Sequence, residues 1–154
     1  MMSGGVAPPR SETTARRPTN IRAGGLLDRS DIEAAILRFD AAVEEATDTY
    51  AALCDASAAA EADWKQALMT ALVRVDADVD TRPGDAKTRE AKAMIAARST
   101  ATAVEVTGDP DARDLFRSHL IMDRRMAAAK QAVQTLMSRL DAYRTLAASA
   151  RSQS

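Results

Sequence analysis

The sequence predicts an all-α protein: a long antiparallel helical hairpin of coiled-coil type, three helices in all, with a kinked or broken second limb. Three observations carry this. Apolar residues recur at alternating steps of four and three along two long stretches. Aromatics make up only 3% of the 154 residues, while alanine is abundant. Glycine and proline are confined to the first thirty residues and two short breaks. Together these call for long helices packed closely on small side chains, and they exclude a β-sandwich or a doubly wound sheet. The length suits one domain.

Residues 1–29 mix Gly, Pro, Ser, Thr and Arg without periodicity and are expected to form a disordered basic arm. The helical coiled-coil domain is expected over 30–151, with 152–154 a frayed tail. The first helix opens at Ser30, which with Glu33 has the spacing of a capping box. Its seam is Ile32, Ile36, Phe39, Val43, Ala46, Tyr50, Leu53, Ser57, Ala60 and Trp64, apolar at every step but Ser57. Beyond Trp64 it moves by fours to Leu68 and Leu72, a stutter that locally straightens a supercoil, then reaches Val75 and Val79.

The first break spans Asp76 to Asp85. Its alternating aspartates resemble the start of a calcium loop, but Thr81 stands where that loop needs Gly and Lys87 where it needs a bidentate Glu. An acidic helix end, a turn at Pro83-Gly84 and an Asp85 cap are the expectation. A second helix should run from Ala86 to about Val106, with Ala91, Met94 or Ile95, Ala101 and Val104 inward. Thr107-Gly-Asp-Pro-Asp then interrupts it. Asp109 as N-cap and Pro110 at the first helical position signal a restart. The last helix carries the seam Leu115, His119, Met122, Met126, Ala129, Val133, Leu136, Leu140, Tyr143, Ala147 and Ala150, with Arg151 suiting its negative end.

Two topologies follow. If Gly108 is a hairpin turn, the helices run up, down and up. If Gly108–Pro110 is only a kink, residues 86–151 return as one broken limb along the first helix. The kinked form is preferred because it brings charges together. Residues 31–80 hold twelve Asp or Glu against Arg38, Lys65 and Arg74, whereas residues 113–154 hold eight Lys or Arg against three Asp. Folding at the 80–85 turn then sets Tyr50 near Leu115, Val43 near Met122, Phe39 near Met126 and Ile32 near Val133. The second limb overhangs by about 25 Å. The overhang bears Leu136, Leu140, Tyr143 and Ala147 as an unpaired apolar strip, which predicts a homodimer or a partner helix.

Chemistry is sparsely represented. His119, the only histidine, sits on the seam, with no second His or Cys at metal-binding spacing. Cys54 is alone and beside Leu53, so a packed thiol in a reducing cytoplasm is expected. Acidic pairs such as Glu44-Glu45 are unavoidable on so acidic a helix, and no phosphate-cradling glycine motif occurs. The expectation is no enzyme and no cofactor. No apolar run is long enough for a bilayer, the first residues lack a signal-peptide core, and cytoplasmic residence is expected. The one candidate binding set is Arg113, Arg117, Arg124, Arg125, Lys130, Arg139, Arg144 and Arg151. It reads either as a solvated face pairing with the acidic helix or as a contact surface for nucleic-acid phosphates, to which the basic arm would add. Without stacking aromatics, recognition of single-strand bases has little support.

Four stretches form a further pattern: Ala60-Glu-Ala-Asp-Trp-Lys65, Thr88-Arg-Glu-Ala-Lys-Ala93, Arg124 to Val133, and Leu140-Asp-Ala-Tyr-Arg-Thr-Leu-Ala-Ala-Ser-Ala-Arg151. The chain over 30–151 thereby resembles small alanine-rich helical proteins of phages and prophages of Gram-positive bacteria, often encoded among replication and recombination genes. It departs from them in having Trp64 where Tyr is commoner, and in the Thr107–Asp111 interruption. The resemblance supplies no catalytic residues. It implies a cytoplasmic accessory or adaptor factor in phage DNA replication or recombination; a virion, scaffold or tail-chaperone role is the alternative for such a hairpin. Helical hairpins of the WXG type are excluded, because their Trp lies in the turn whereas Trp64 is mid-helix.

Overall fold

The computed structural model describes residues 28–152, which hold four helices and no strand: α1 Arg29–Ala77, α2 Ala86–Ala97, α3 Thr100–Thr107 and α4 Leu115–Ser152. The all-α class is as expected, but there is a fourth helix. Residues 1–27 of the expected arm, with Gln153 and Ser154, lie outside the described residues. Arg29 and Ser152, assigned to arm and tail from the sequence, are both helical.

α1 runs unbroken for 49 residues. It begins at Arg29, so Ser30 lies inside it and the expected capping box does not form. The Asp28 carbonyl instead accepts from the Asp31 and Ile32 amides at 2.9 and 3.1 Å. Ser30 Oγ donates to the Asp28 carboxylate at 2.9 Å, and Glu33 is taken by Arg29 at 3.0 Å. At the far end the Thr81 hydroxyl and amide both donate to Asp78, and Lys92 Nζ holds Thr81 Oγ1 at 3.0 Å.

The second expected helix divides at Arg98-Ser99. Asp85 caps α2 as predicted, accepting from the Thr88 amide at 2.8 Å. Ser99 then caps α3, its Oγ accepting from the Thr102 amide at 3.2 Å, while Thr102 Oγ1 donates back to the Ala96 carbonyl at 3.0 Å. These side-chain bonds offer the backbone an alternative to continued helix, so the chain turns here. α2 starts beside the end of α1, where Arg89 meets Asp76 at 3.3 Å, and runs back along it. α3 reverses, ending where Glu105 pairs with Arg74. Gly108, at φ 69°, closes α3 in the left-handed conformation that glycine adopts without steric penalty.

The inward face of this cap also differs from expectation. Ala93, Ala97 and Ala103 are fully buried against Trp64, Ala67, Ala71 and Val75, whereas Ile95 is 75% exposed and Ala91, Met94 and Ala101 also face out. Methyl-sized faces let three helices approach closely; larger residues on those faces would hold them apart.

α4 starts at Leu115 rather than Pro110. Asp109 and Asp111 are spent on a turn, the Asp111 amide donating to Asp109 Oδ1 at 2.9 Å and the Ala112 amide to the Asp109 carbonyl at 3.0 Å. Asp114 becomes the cap, accepting from the Arg117 amide at 3.2 Å. Arg98 clasps Asp114 at 2.6 Å and lies over the Phe116 ring, 5.2 Å from its centroid. Phe116 packs on Trp64 with centroids 4.9 Å apart.

From Phe116 onward α4 runs antiparallel to α1. Ser57 meets Asp123, and Phe39 meets Tyr143 with ring centroids 5.3 Å apart. Phe39 therefore lies not on Met126 but about 25 Å further along the helix. The cause is the α2–α3 fold-back, which uses up chain without advancing along α1. Neither topology drawn from the sequence is the observed one. The overhang does not form: Leu140 is 4% exposed, Tyr143 is stacked, and Ala147 shares a hollow with Ile32.

Candidate interaction surfaces

Of the four residues expected to await a partner, Leu140 is buried, Tyr143 stacks on Phe39 and Ala147 shares a hollow with Ile32, while Leu136 is half-buried and lines an open hollow. What stays open is the flank of the α1–α4 pair. Ala42, Glu45, Ala46 and Thr49 of α1 with Ala129, Ala132 and Leu136 of α4 line a hollow of about 350 Å³. A second hollow continues beside it over Ala128, Gln131, Ala132, Thr135, Leu136 and Arg139. A third lies over Asp31, Ala34, Ala35, Arg38 and Tyr143. In heptad terms these residues belong to one side of the seam.

The opposite side is polar, with one small hollow at its end lined by Glu33 and Arg151. There Arg144 bridges to Asp40 at 3.0 Å, and Lys65 pairs with Glu61 at 2.6 Å. The Lys65 partnership holds the Glu61 carboxyl below the usual carboxylate range. Ser57, buried on the seam, donates to Asp123 Oδ1 at 2.6 Å, and His119 Nε2 stands 3.7 Å from Asp123 Oδ2. The order of contacts is serine to acid to histidine, not the serine–histidine–acid relay that activates a nucleophile. His119 Nδ1 is buried without a hydrogen-bond partner.

The basic set is not brought together on one face. Arg144 is paired with Asp40, and Arg113 donates to the Ala112 and Pro110 carbonyls at 3.0 and 3.5 Å. Arg117 and Arg124 lie one heptad apart on the outward edge of α4. Arg125 and Arg139 lie on the flank with the hollows; Lys130, Arg144 and Arg151 lie on the other. Arg117, Arg124, Arg125, Lys130, Arg139 and Arg151 are exposed, and among the described residues none forms an ion pair.

Elsewhere, electrostatics serve the termini and turns. Asp85 and Asp78 are held below the ordinary value, chiefly by the Thr88 and Thr81 side chains and amides respectively. For Asp114 burial works upward, but the Arg98 guanidinium and the Arg117 amide outweigh it and the carboxyl is lowered. The Tyr50 hydroxyl is raised by the neighbouring Cys54 thiol. Among the described residues no group of His, Cys, Asp or Glu has the arrangement to hold a metal ion, and no helix is long and apolar enough to cross a membrane.

No family model, curated protein or solved structure matches this chain.

Sequence reasoning misses the flank hollows because it looks for large apolar residues, and these are built of alanines. The available signal is Ala42 beside the first seam and Ala128 and Ala132 beside the second, on matching sides, next to the seam alanines Ala46 and Ala129.

Proposed function

We propose that the protein is a non-enzymatic coiled-coil interaction protein whose working part is the α1–α4 pair. One observation carries the reading. Along the middle of the pair, Phe39, Val43, Tyr50, Leu53, Met122, Met126, Val133 and Leu136 remain only half-buried, and no large side chain among the described residues falls below 2% exposed. A single layer of two helices cannot cover its own seam, and a further helix layer would. The resemblance to small helical phage proteins supports placing that partnership in an accessory or adaptor role in DNA replication or recombination, in the host cytoplasm. The test is copurification of the tagged chain from lysogenic or infected cells. Replication or recombination proteins are expected in stoichiometric amounts; recovery as a stoichiometric part of purified particles would instead favour the virion or assembly role.

A second reading, direct nucleic-acid binding, is favoured by one observation. Arg117, Arg124 and Arg125 cluster on the first half of α4, exposed and without acidic partners. Contact with phosphates alone is expected to weaken steeply with salt. Fluorescence anisotropy with single- and double-stranded DNA decides it: no binding at low salt removes this reading.

A further inference from the structure

Resting on the interaction reading above, we propose that the open flank of the α1–α4 pair is occupied by a second copy of this chain, with α1 of each copy on α4 of the other. The flank that carries the hollows is the alanine-lined one, over Ala42, Ala46, Ala128 and Ala132, where a foreign helix backbone can approach closely. The opposite flank carries the Asp40–Arg144 bridge and only a hollow of about 20 Å³ beside Glu33 and Arg151.

Charge selects the occupant and its orientation. α1 is strongly acidic and α4 basic, yet among the described residues only Asp40–Arg144 joins them by an ion pair. Glu45 and Arg139, both exposed and both lining the open flank, form none. Two copies meeting face to face have two twofold arrangements. An axis across the helices lays acidic α1 on acidic α1. An axis along them lays α1 on the antiparallel α4 of the second copy, at the height it already has within its own chain. Only the second arrangement joins opposite charges. Glu45 shares a hollow with Leu136, and Leu136 shares the next with Arg139, so the second arrangement brings Glu45 level with Arg139 of the other copy. Four antiparallel neighbours of alternating charge result, and both seams are covered.

The decisive experiment is sedimentation equilibrium on the full chain and three variants, with circular dichroism to verify that helix content is kept. The wild type is expected to dimerise. Glu45→Arg and Arg139→Glu, taken singly, each set two like-charge contacts across the twofold and are expected to weaken self-association by about tenfold or more. Mixing these two variants is expected to restore the dimer mass, because every contact in the mixed dimer is again opposite in sign. Lys130→Glu, on the opposite flank, is expected to leave the mass unchanged. If a variant loses helix content, Ala132→Arg replaces it, filling the hollow without reversing a pair, and is expected to give monomer. A monomeric wild type, a mixture that stays monomeric, or an equal loss in Lys130→Glu overturns the proposal. A monomeric chain that still captures a replication protein would overturn the dimer and leave the interaction reading standing. A dimer that captures nothing would do the reverse.

Discussion

The Ser57–Asp123 hydrogen bond joins α1 to α4 at a buried seam position, and the effect of its removal follows from its surroundings. Ser57 is buried, whereas the Asp123 side chain is 47% exposed. Ser57→Ala therefore frees a carboxylate that can rehydrate, and the loss should be near the net worth of one hydrogen bond, about 1 kcal/mol. Asp123→Ala leaves a buried hydroxyl without its acceptor and also removes the carboxylate beside His119. The hydroxyl can turn to a carbonyl one helical turn back, which holds the cost to about 1–2 kcal/mol. In the double variant no orphan remains, so its cost should be about that of the larger single change. The coupling energy is then about 1 kcal/mol, positive in the sense of mutual stabilisation. Urea unfolding followed by far-ultraviolet circular dichroism measures all four forms. Additivity of the two changes to within about 0.3 kcal/mol would refute the contact and with it the α1–α4 alignment at this height.

Two further outcomes follow from the same structure. Leu140→Ala should cost about 2–3 kcal/mol in the same assay, at the lower end for a buried leucine because a two-helix layer can partly collapse around the gap; a cost below about 0.5 kcal/mol would be the behaviour of a surface residue. Acid should destabilise the fold through Asp78, Asp85 and Asp114, whose folded carboxyls are held below their unfolded value. Their contribution is fully present above about pH 4 and is lost as pH falls through the lower folded values. Asp85→Asn keeps a capping side chain but cannot titrate, so thermal unfolding of that variant should decline less steeply with acid than the wild type.

The two long helices are legible in the sequence because apolar residues held to a seven-residue repeat over many turns suit a helix and neither a strand nor a loop. The break after α1 is marked by Pro83 and Gly84. The division at Ser99 is not legible from periodicity. It depends on Ser99 and Thr102 bonding locally, and a Ser-Thr-Ala-Thr run reads equally well as poor helix. The face of α2 is hidden for a related reason: hydrophobicity points to Met94 and Ile95, whereas close packing selects Ala93 and Ala97.

Register is the deepest gap. A seam that repeats every seven residues matches its neighbour almost as well after sliding by whole heptads, so the apolar pattern alone cannot choose. The α2–α3 fold-back chooses, and particular residues ratify the choice. Phe39 and Trp64 on one seam find Tyr143 and Phe116 on or beside the other, and the two polar interruptions, Ser57 and His119, both fall beside Asp123. Matching aromatic with aromatic and polar with polar would find the alignment from sequence. The basic set fails as a single surface for a simpler reason: cations on one limb need not share a face. Arg113 precedes α4, and the other seven occupy three edges of it.

The alignment of α4 on α1 supports everything proposed about partners, and spin-label distances test it most directly. With Cys54→Ala as background, labels at Asp40→Cys and Arg144→Cys replace a pair in ion contact at 3.0 Å. Labels at Asp40→Cys and Arg125→Cys probe the alternative register. The observed alignment requires the short distance for the first pair, and for the second a separation larger by an axial offset of about 28 Å. A short distance between positions 40 and 125, with 144 remote, would contradict it.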